Sequence, residues 1–280
     1  MIYSVLRDSS CDHHRVTLPM KYLDMPKTDK PGHAKIYLFN RIPGHDLKEI
    51  KKRGIKIVCD IDDYWELYQH HYLYNHFKFG GMTNRIIESL KMSDVVLTTH
   101  SMLADRVKEH NKNVFIVPNA IPYDKEQFNI GKQEYTGKTA FIGGMSHYKD
   151  INLIKGYSVP NQLHISRYMD HYKGVNICLA PLENNEFNQC KSNLKTLEAA
   201  CGHAAVICSD MHPFRNGRDD EYVIYANNNE WESKIKYCKD NPNYTIDIGE
   251  KLAEHCRKHY DLIKVNETRK DIFSELLRQG

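Results

Sequence analysis

The stretch Phe187–Asp210, FNQCKSNLKTLEAACGHAAVICSD, constrains the fold of this chain more than any other part of it. Leu194 and Leu197 begin a set of apolar residues at helical spacing, and Gly202 stands where a left-handed glycine would end that helix. The run Ala204–Cys208 is apolar and of strand length. A loop, a helix, a glycine and a strand in this order predict one crossover of a parallel α/β sheet.

Charged and polar residues at the start of this predicted helix indicate an anion site. Lys191, Ser192 and Asn193 fall at the helix start, where unpaired N–H groups and the positive end of the dipole favour an anion. Lys195 lies one turn beyond Lys191, and Glu198 follows three residues later on the same side. Cations for phosphate and a carboxylate for sugar hydroxyls predict a nucleotide-binding site. The alternative is an ordinary amphipathic helix with solvated lysines.

These residues also carry a family resemblance. The pattern FN-x-x-KS-x-LK-x-LE-A-A-x-G, followed by an apolar run that ends in Ser-Asp, resembles the C-terminal donor-binding signature of GT-B glycosyltransferases, close to glycosyltransferase family four. The resemblance implies that Lys191 and the helix start hold the donor diphosphate and that Glu198 binds the ribose. Related enzymes usually carry another glutamate, which touches the donor sugar, where this chain has Cys190.

A glycine-rich turn after a predicted strand supplies a second part of the expected donor site. Gly143 and Gly144 follow the strand, and small residues there let backbone amides approach a phosphate. The spacing of a P-loop is absent. The string G-G-x-x-H-x-K-D resembles the corresponding turn of the same glycosyltransferases, which adds His147 and Lys149 to the expected donor-binding residues.

The alternation of strands and helices predicts two parallel sheets. The predicted strands are Ile2–Leu6, Lys35–Asn40, Ile55–Asp60, Val95–Thr99, Val114–Val117, Thr139–Ile142, Leu163–Ser166, Val175–Ala180, Ala204–Cys208 and Tyr222–Tyr225. A polar linker over 123–137 divides them. The expected domains are residues 1–134, with 264–280 packing back on them, and residues 135–263.

Carboxylates at the end of the third predicted strand are candidate catalytic groups. Ligands of open parallel sheets bind beyond the carboxyl ends of the strands, where Asp60, Asp62 and Asp63 stand. Clustered carboxylates can give one member the raised pKa that a general base needs. Capping of the next helix is an equally good reading for Asp60 or Asp63. His100 ends the next strand, where related retaining enzymes present a polar residue to the donor sugar, and Ser101 is expected to cap the helix that follows.

The segment Tyr64–Phe79 is the expected acceptor-binding region. It combines seven aromatic residues with three histidines, and stacking faces beside imidazoles suit a sugar or an extruded base. The candidate residues are Tyr64, Trp65, His70 and His71. A packed aromatic helix is the alternative.

A polar loop after the first predicted strand supplies one more candidate. Arg15 fits the arginine that small GT-B enzymes often carry there, and we expect it to act as a cleft cation that contacts the acceptor. Cys11, His13 and His14 are conceivable metal ligands, but the sequence offers no second ligand cluster at a useful spacing. The expectation is therefore a site without metal.

Composition narrows the class of protein. The chain of 280 residues is long enough for two modest domains, and no apolar run approaches the ~18–20 residues of a membrane span. Eight cysteines without a CxxC pair predict reduced thiols and a cytoplasmic location. A net charge of +3 is too small to indicate a nucleic-acid partner by itself.

The resemblance implies an α/β chain of the GT-B class, with two Rossmann-like domains facing across a cleft and a C-terminal helix that returns to the first domain. It implies a hexosyl- or pentosyltransferase that moves a sugar from a nucleotide-sugar, most often UDP-linked, to a hydroxyl, with no other cofactor. The short chain also resembles phage enzymes that glycosylate hydroxymethylated pyrimidines in double-stranded DNA, which would place it in the host cytoplasm. A glycan or small-molecule acceptor, or an inactive nucleotide-binding protein, are the alternatives.

Overall fold

The computed structural model describes residues 1–279 except 8, 145, 146, 159 and 162. The chain forms two compact units. Unit 1 consists of Met1–Asn119, Cys190–Ser192 and Leu262–Gly280, and unit 2 consists of Ala120–Gln189 and Asn193–Asp261. The first change of unit thus falls at 119/120, before the predicted domain limit at 134/135, and those predicted limits stay a prediction.

Unit 1 is built on a five-stranded parallel sheet whose strands lie side by side in sequence order. Its strands are β1 Ile2–Ser4, β2 Ile36–Asn40, β3 Lys56–Ile61, β4 Val95–Thr98 and β5 Val114–Ile116. Ile57, Val58 and Cys59 in β3 are fully buried, as expected for a parallel strand that is covered on both faces. Asn40 pairs with Asp60, so these two polar residues stand together at the carboxyl edge of the sheet.

Unit 2 is built on a four-stranded parallel sheet. Its strands are β6 Thr139–Phe141, β7 Ile177–Ala180, β8 Ala205–Ser209 and β9 Ile224–Ala226. Ile177, Leu179 and Ile207 form the centre of the core against Trp231 and Ile235. The predicted α/β class with parallel sheets is therefore confirmed in both units.

The strand predicted at Leu163–Ser166 is wrong. A 3₁₀ helix spans Ile165–Tyr172 instead, and the side chain of His164 caps it by accepting a hydrogen bond from the backbone N–H of Ser166. The buried side chains of this segment, Met169 and Tyr172, are three residues apart, which suits a helix with three residues per turn. This spacing was the signal that the sequence prediction overlooked.

Helices cover the sheets of both units. The α-helices are α1 Ser10–Asp12, α2 Leu18–Tyr22, α3 Leu47–Lys52, α4 Tyr74–Lys78, α5 Met82–Met92, α6 Ser101–Lys108, α7 Glu186–Gln189, α8 Leu194–Ala200, α9 Trp231–Asp240, α10 Pro242–His259 and α11 Leu262–Arg278. A π-helical turn, His13–Thr17, joins α1 to α2, and shorter 3₁₀ turns span Pro31–His33, Glu126–Phe128 and Asp150–Leu153. Among the described residues, no helix is both long enough and apolar enough to traverse a bilayer.

Two predicted helix ends need correction. The left-handed residue after α8 is His203, with φ of 54°, and not Gly202. The cap of α6 is His100 and not Ser101, because Nδ1 of His100 accepts a hydrogen bond from the backbone N–H of Leu103 at 3.4 Å. At both helix ends a histidine takes the place of its neighbour, although residue preferences favour glycine after a helix and serine before one.

Helix α11 belongs to unit 1, although it follows unit 2 in the chain. The side-chain amide of Asn266 donates to the carbonyl oxygen of Pro19 at 3.0 Å. Arg269 and Phe273 are fully buried on the same helix. The predicted return of the C-terminal helix to the first part of the chain is what the structure shows.

Candidate functional site

Four side chains of unit 2 form a polar cluster on α8 and the 3₁₀ helix Ile165–Tyr172. The carboxylate of Glu198 accepts hydrogen bonds from the hydroxyl of Tyr172 at 2.6 Å and from Nζ of Lys195 at 3.0 Å. Nζ of Lys195 also donates to the hydroxyl oxygen of Tyr168 at 2.6 Å. Glu198 is buried, whereas the Lys195 side chain is 19% exposed. The cluster therefore reaches solvent through its lysine.

The charges of this cluster are matched to one another. Burial lowers the pKa of Lys195, but the Glu198 carboxylate and Tyr168 outweigh it, and the net pKa is raised above the ordinary value. Burial, with a contribution from Glu198, raises the pKa of Tyr168 to about 12. An ammonium group has three donors, and the described residues use two of those of Lys195. The third is available for a ligand.

The residues before α8 are placed differently from the prediction. Lys191 and Ser192 precede the helix, which begins at Leu194 and has seven residues. They belong to unit 1, where Nδ2 of Asn119 donates to Oγ of Ser192 at 2.7 Å and Lys191 is nearly buried. A helix this short carries little macrodipole, so side-chain cations must supply most of the attraction for an anion.

Asn193 is the N-cap residue of α8, but its side chain makes no capping hydrogen bond. Its Nδ2 donates to Oδ2 of Asp219 at 2.5 Å instead. Asn193 therefore fixes the first turn of the helix to another loop of unit 2. Whether it also contacts a donor stays a prediction.

The glycine turn after β6 is held by a buried carboxylate. A Cβ atom on Gly143 would lie 2.5 Å from the ring of buried Phe141, so a larger residue there would force that ring to shift. Nδ1 of His147 lies 2.8 Å from Oδ2 of Asp150, and Oδ1 of Asp150 accepts from Nδ2 of Asn188 at 2.8 Å.

The other members of this turn are less constrained by the described contacts. Gly144 is half-buried, and Lys149 is half-buried with Nζ 5.3 Å from the ring centre of Tyr148. Met145 and Ser146 of the predicted turn lie outside the described residues. The donor-binding roles of Gly143, Gly144, His147 and Lys149 stay predictions.

In unit 1, Asp60 is part of a buried ion pair. Nε and Nη2 of Arg15 donate to its two carboxylate oxygens at 2.7 and 3.1 Å, and both side chains are fully buried. Arg15 also donates to Oδ1 of Asn119 at 3.1 Å and to the carbonyl oxygen of Val117 at 2.9 Å. Burial raises the pKa of Asp60, against the opposing effect of Arg15. This geometry gives both residues a structural task, and their predicted catalytic and acceptor-binding roles stay predictions.

Asp62 and Asp63 share a cation, Arg41. The Arg41 guanidinium lies 3.2 Å from Oδ1 of Asp62 and 2.5 Å from Oδ2 of Asp63, and it donates to Sγ of Cys11 at 2.9 Å. Nδ2 of Asn40 donates to Asp62 at 3.2 Å. The Asp63 side chain is 25% exposed and that of Asp62 only 10%. Asp63 is therefore the more accessible of the two.

The same cluster has the composition of a metal site. Ligand atoms of Cys11, Asp62 and Asp63 lie within 4.8 Å of one another. The Arg41 guanidinium contacts all three groups and supplies the positive charge that a metal ion would supply. Burial also raises the pKa of the Cys11 thiol well above its ordinary value, which disfavours the thiolate that binds metals.

His100 links its helix cap to the segment that carries Lys191. Its Nε2 lies 2.9 Å from the carbonyl oxygen of Cys190, in the same unit. Since Nδ1 accepts from Leu103, Nε2 of the neutral ring carries the proton and donates to that carbonyl. His100 thus caps α6, and its predicted contact with a donor sugar stays a prediction.

The predicted acceptor segment divides into a buried and an exposed part. Trp65 and Tyr64 are buried, with ring centres 5.1 Å apart. Nδ1 of His71 accepts from the backbone N–H of Leu73 at 3.1 Å, and His71 is buried, whereas His70 is exposed. The most exposed aromatic side chains of this segment are Tyr72 and Phe79, at 54% and 75%. A five-residue helix, α4, forms where a longer aromatic helix was the alternative.

Sequence reasoning missed several residues that the structure brings into these clusters. They are Arg41, Asp150, Tyr168, Tyr172 and Asp219. Arg41 directly follows a predicted strand, and Asp150 ends the glycine-turn motif, so both had a usable signal. Asp219 had none beyond its place in a polar loop.

Comparison with solved structures identifies the fold. TarM of S. aureus superposes with a TM-score of 0.56 at 12% identity, over 87% of this chain and 55% of TarM. Sucrose-phosphate synthase of Thermosynechococcus elongatus gives 0.61 at 9% identity, over 88% and 74%. HepE of Anabaena, in complex with UDP, gives 0.53 at 10% identity, over 87% and 79%. This chain therefore has the GT-B fold, and the predicted fold class is confirmed.

The sequence itself is distant from known families. No family model and no curated protein matches it. The chain spans about half the length of TarM, 55%. The structural comparisons thus show the fold, and the activity has to be argued from the site.

Proposed function

We propose that this protein is a glycosyltransferase that uses a UDP-sugar as donor. The observation that carries the proposal is the cluster of Lys195, Glu198, Tyr168 and Tyr172 in unit 2 of a GT-B fold. A lysine with one unused donor suits a phosphate oxygen, and a buried carboxylate suits ribose hydroxyls. HepE in complex with UDP or UDP-glucose, and TarM in complex with UDP, support uridine as the nucleoside of the donor.

The proposed reaction is a transfer of a glycosyl group. The acceptor hydroxyl oxygen forms a bond to the anomeric carbon, and the bond from that carbon to the β-phosphate oxygen breaks. UDP leaves with the electron pair of the broken bond. The hydroxyl proton passes to a carboxylate or to the leaving phosphate. Asp63 is the proposed carboxylate of unit 1, since it is the most exposed of the three aspartates.

We place the acceptor on unit 1. The rings of Tyr72 and Phe79 are exposed, and so is His70, so the segment offers stacking faces and an imidazole. Such a surface suits an extruded, hydroxymethylated pyrimidine of double-stranded DNA, which is our first candidate acceptor. A glycan stacks on aromatic faces equally well and is the second candidate.

One experiment tests the activity and the acceptor together. The protein is incubated with each of several UDP-sugars, and with hydroxymethylated DNA, unmodified DNA or a panel of glycans, and transfer is followed by mass spectrometry. A mass increase of one sugar on hydroxymethylated DNA alone supports the DNA acceptor. Sugar on a glycan supports the second candidate. UDP binding without transfer or donor hydrolysis would make this an inactive nucleotide-binding protein, and lack of UDP binding would refute the proposal.

Lys195→Ala is expected to weaken UDP binding by ~1.5–3 kcal/mol, the usual contribution of a hydrogen bond to a charged group. Isothermal titration calorimetry measures the change. Lys173→Ala is the matched control, because Lys173 is an exposed lysine of the same unit, paired with Asp170. UDP affinity equal to that of the wild type in Lys195→Ala would contradict the phosphate role.

Glu198→Gln is expected to weaken binding of UDP more than binding of pyrophosphate, because only UDP offers ribose hydroxyls to the carboxylate. Calorimetry with the two ligands gives the ratio of affinities. Glu254→Gln, at an exposed position of α10, controls for the loss of one negative charge from unit 2. Equal losses for both ligands would show that Glu198 acts through Lys195 rather than on the ribose.

A further inference from the structure

Asp219 lies in the loop between β8 and β9 and is 1% exposed. Its carboxylate accepts four side-chain hydrogen bonds, two on each oxygen. Oδ1 accepts from Nε2 of His255 at 2.9 Å and from the hydroxyl of Tyr260 at 2.8 Å. Oδ2 accepts from Nδ2 of Asn193 at 2.5 Å and from Nδ2 of Asn216 at 2.7 Å. Because an ionised carboxylate has about four acceptor sites, these four side chains use all of them.

The chemistry of the four partners selects an aspartate. An ionised carboxylate offers acceptor sites on both oxygens. Asparagine has only one oxygen, and its NH₂ group would point two N–H donors at two of the four donor groups. The loop is also fixed around this group, because Oδ1 of Asn216 accepts from the backbone N–H groups of Arg218 and Asp219 at 2.8 and 2.9 Å. The ring of His255 stacks on Tyr222 with centres 4.2 Å apart. The acceptor atoms are thus held in place from both sides.

Asn193 connects this loop to the candidate donor site. Its side chain is committed to Asp219, and its backbone oxygen accepts from the N–H groups of Thr196 and Leu197 at 2.9 and 3.3 Å. The direction of the first turn of α8 is therefore set through Asn193. That turn carries Lys195, and Glu198 follows one turn later.

We propose that Asp219 is a positioning residue for donor binding: through Asn193 it fixes the start of α8, and so the direction in which Lys195 and Glu198 meet a nucleoside diphosphate. The inference rests on the proposed function, in which those two residues bind UDP. Asp219 itself contacts no ligand in this arrangement. Its effect is to keep Asn193 from turning back to cap its own helix, as an N-cap asparagine otherwise does.

Asp219→Asn is expected to raise the Kd for UDP on the order of tenfold, the equivalent of one misdirected hydrogen-bonding group. The matched control is Asp220→Asn. Oδ1 of Asp220 accepts from the backbone N–H groups of Asn216 and Gly217, and asparagine retains such an oxygen. Calorimetry with UDP gives Kd for both variants, and thermal unfolding is recorded for each.

Two further variants distinguish the positioning role of Asp219 from a purely structural one. His255→Phe removes one donor from the other oxygen of Asp219 and keeps a ring beside Tyr222, so it is expected to lower thermal stability while leaving the Kd for UDP within about twofold. Asn193→Ala is expected to raise Kd as Asp219→Asn does. Because Asp219 and Asn193 act as one pair, the Kd of the double variant for UDP is expected to be no higher than that of the single variant with the higher Kd. Asn193→Ala also keeps the test open if Asp219→Asn fails to fold.

The outcomes distinguish failure of this inference from failure of the proposed function on which it rests. If the wild-type protein does not bind UDP, the proposed function fails and the inference fails with it. If the wild-type protein binds UDP and both Asp219→Asn and Asn193→Ala bind it equally well, only the inference fails. Additive losses in the double variant, or a loss in His255→Phe as large as in Asp219→Asn, would likewise overturn the positioning role.

Discussion

Asp60→Asn is expected to lower the free energy of unfolding by about 3–5 kcal/mol, the usual cost of leaving one partner of a buried ion pair without its countercharge. Arg15 would remain buried, but the negative charge of the carboxylate to which its Nε and Nη2 donate would be lost. Arg269 would lose the same countercharge, because burial and the charge of Arg15 lower the pKa of Arg269 to about 9 while Asp60 opposes them. Urea denaturation of both proteins measures the difference.

Asp105→Asn is the control for this experiment. Asp105 is an exposed partner of Lys108 on α6, and its substitution is expected to change stability by less than about 0.5 kcal/mol. An Asp60→Asn protein with the stability of the wild type but no turnover would give Asp60 a catalytic role and not a structural one. Wild-type stability together with wild-type turnover would contradict both.

Asp63→Asn is expected to lower turnover by ~10²–10⁴, the usual contribution of a general base, while the affinity for UDP stays nearly unchanged. The reason is that Asp63 belongs to unit 1 and is the most exposed carboxylate of its cluster, whereas the proposed UDP-binding residues belong to unit 2. Initial rates at saturating donor and acceptor give kcat, and calorimetry gives the UDP affinity.

Asp62→Asn is the matched comparison, because both aspartates contact Arg41. A similar loss of stability in the two variants, with a loss of turnover only in Asp63→Asn, would separate catalysis from the ion pair. If both aspartates only stabilise the fold, turnover per folded molecule is expected to stay unchanged in Asp62→Asn and in Asp63→Asn. Full activity in both would leave His100 or the donor phosphate as the proton acceptor.

The central strands of the sheets were predictable because they are buried on both faces. Such strands appear in a sequence as continuous apolar runs, and IKIVCD and AAVIC are two of them. The 3₁₀ helix Ile165–Tyr172 was missed because its apolar residues are too sparse for a run and its period is short. Helix capping by His100 and His164 was missed because the known N-cap preferences favour serine or asparagine.

The site was predictable only in part, since its pairings are long-range. The motif around α8 located Lys195 and Glu198, which the structure brings together at 3.0 Å. Nothing in the sequence shows that Arg15 meets Asp60, because 45 residues separate them. The choice between a cleft cation and a buried ion pair depends on which residues the fold places beside Arg15, and a single sequence does not contain that information.

On the ribosome, unit 1 cannot complete its core until all of unit 2 has been synthesised. Strands β1 to β5 precede residue 120, but Asn266, which donates to the carbonyl oxygen of Pro19, follows Pro19 by 247 residues. At ~5–20 residues per second that interval lasts on the order of ten seconds or more. The surface that Phe273 and its neighbours on α11 later cover is exposed throughout. Unit 2 therefore has time to fold first, and unit 1, whose strands are translated before unit 2, is completed after it.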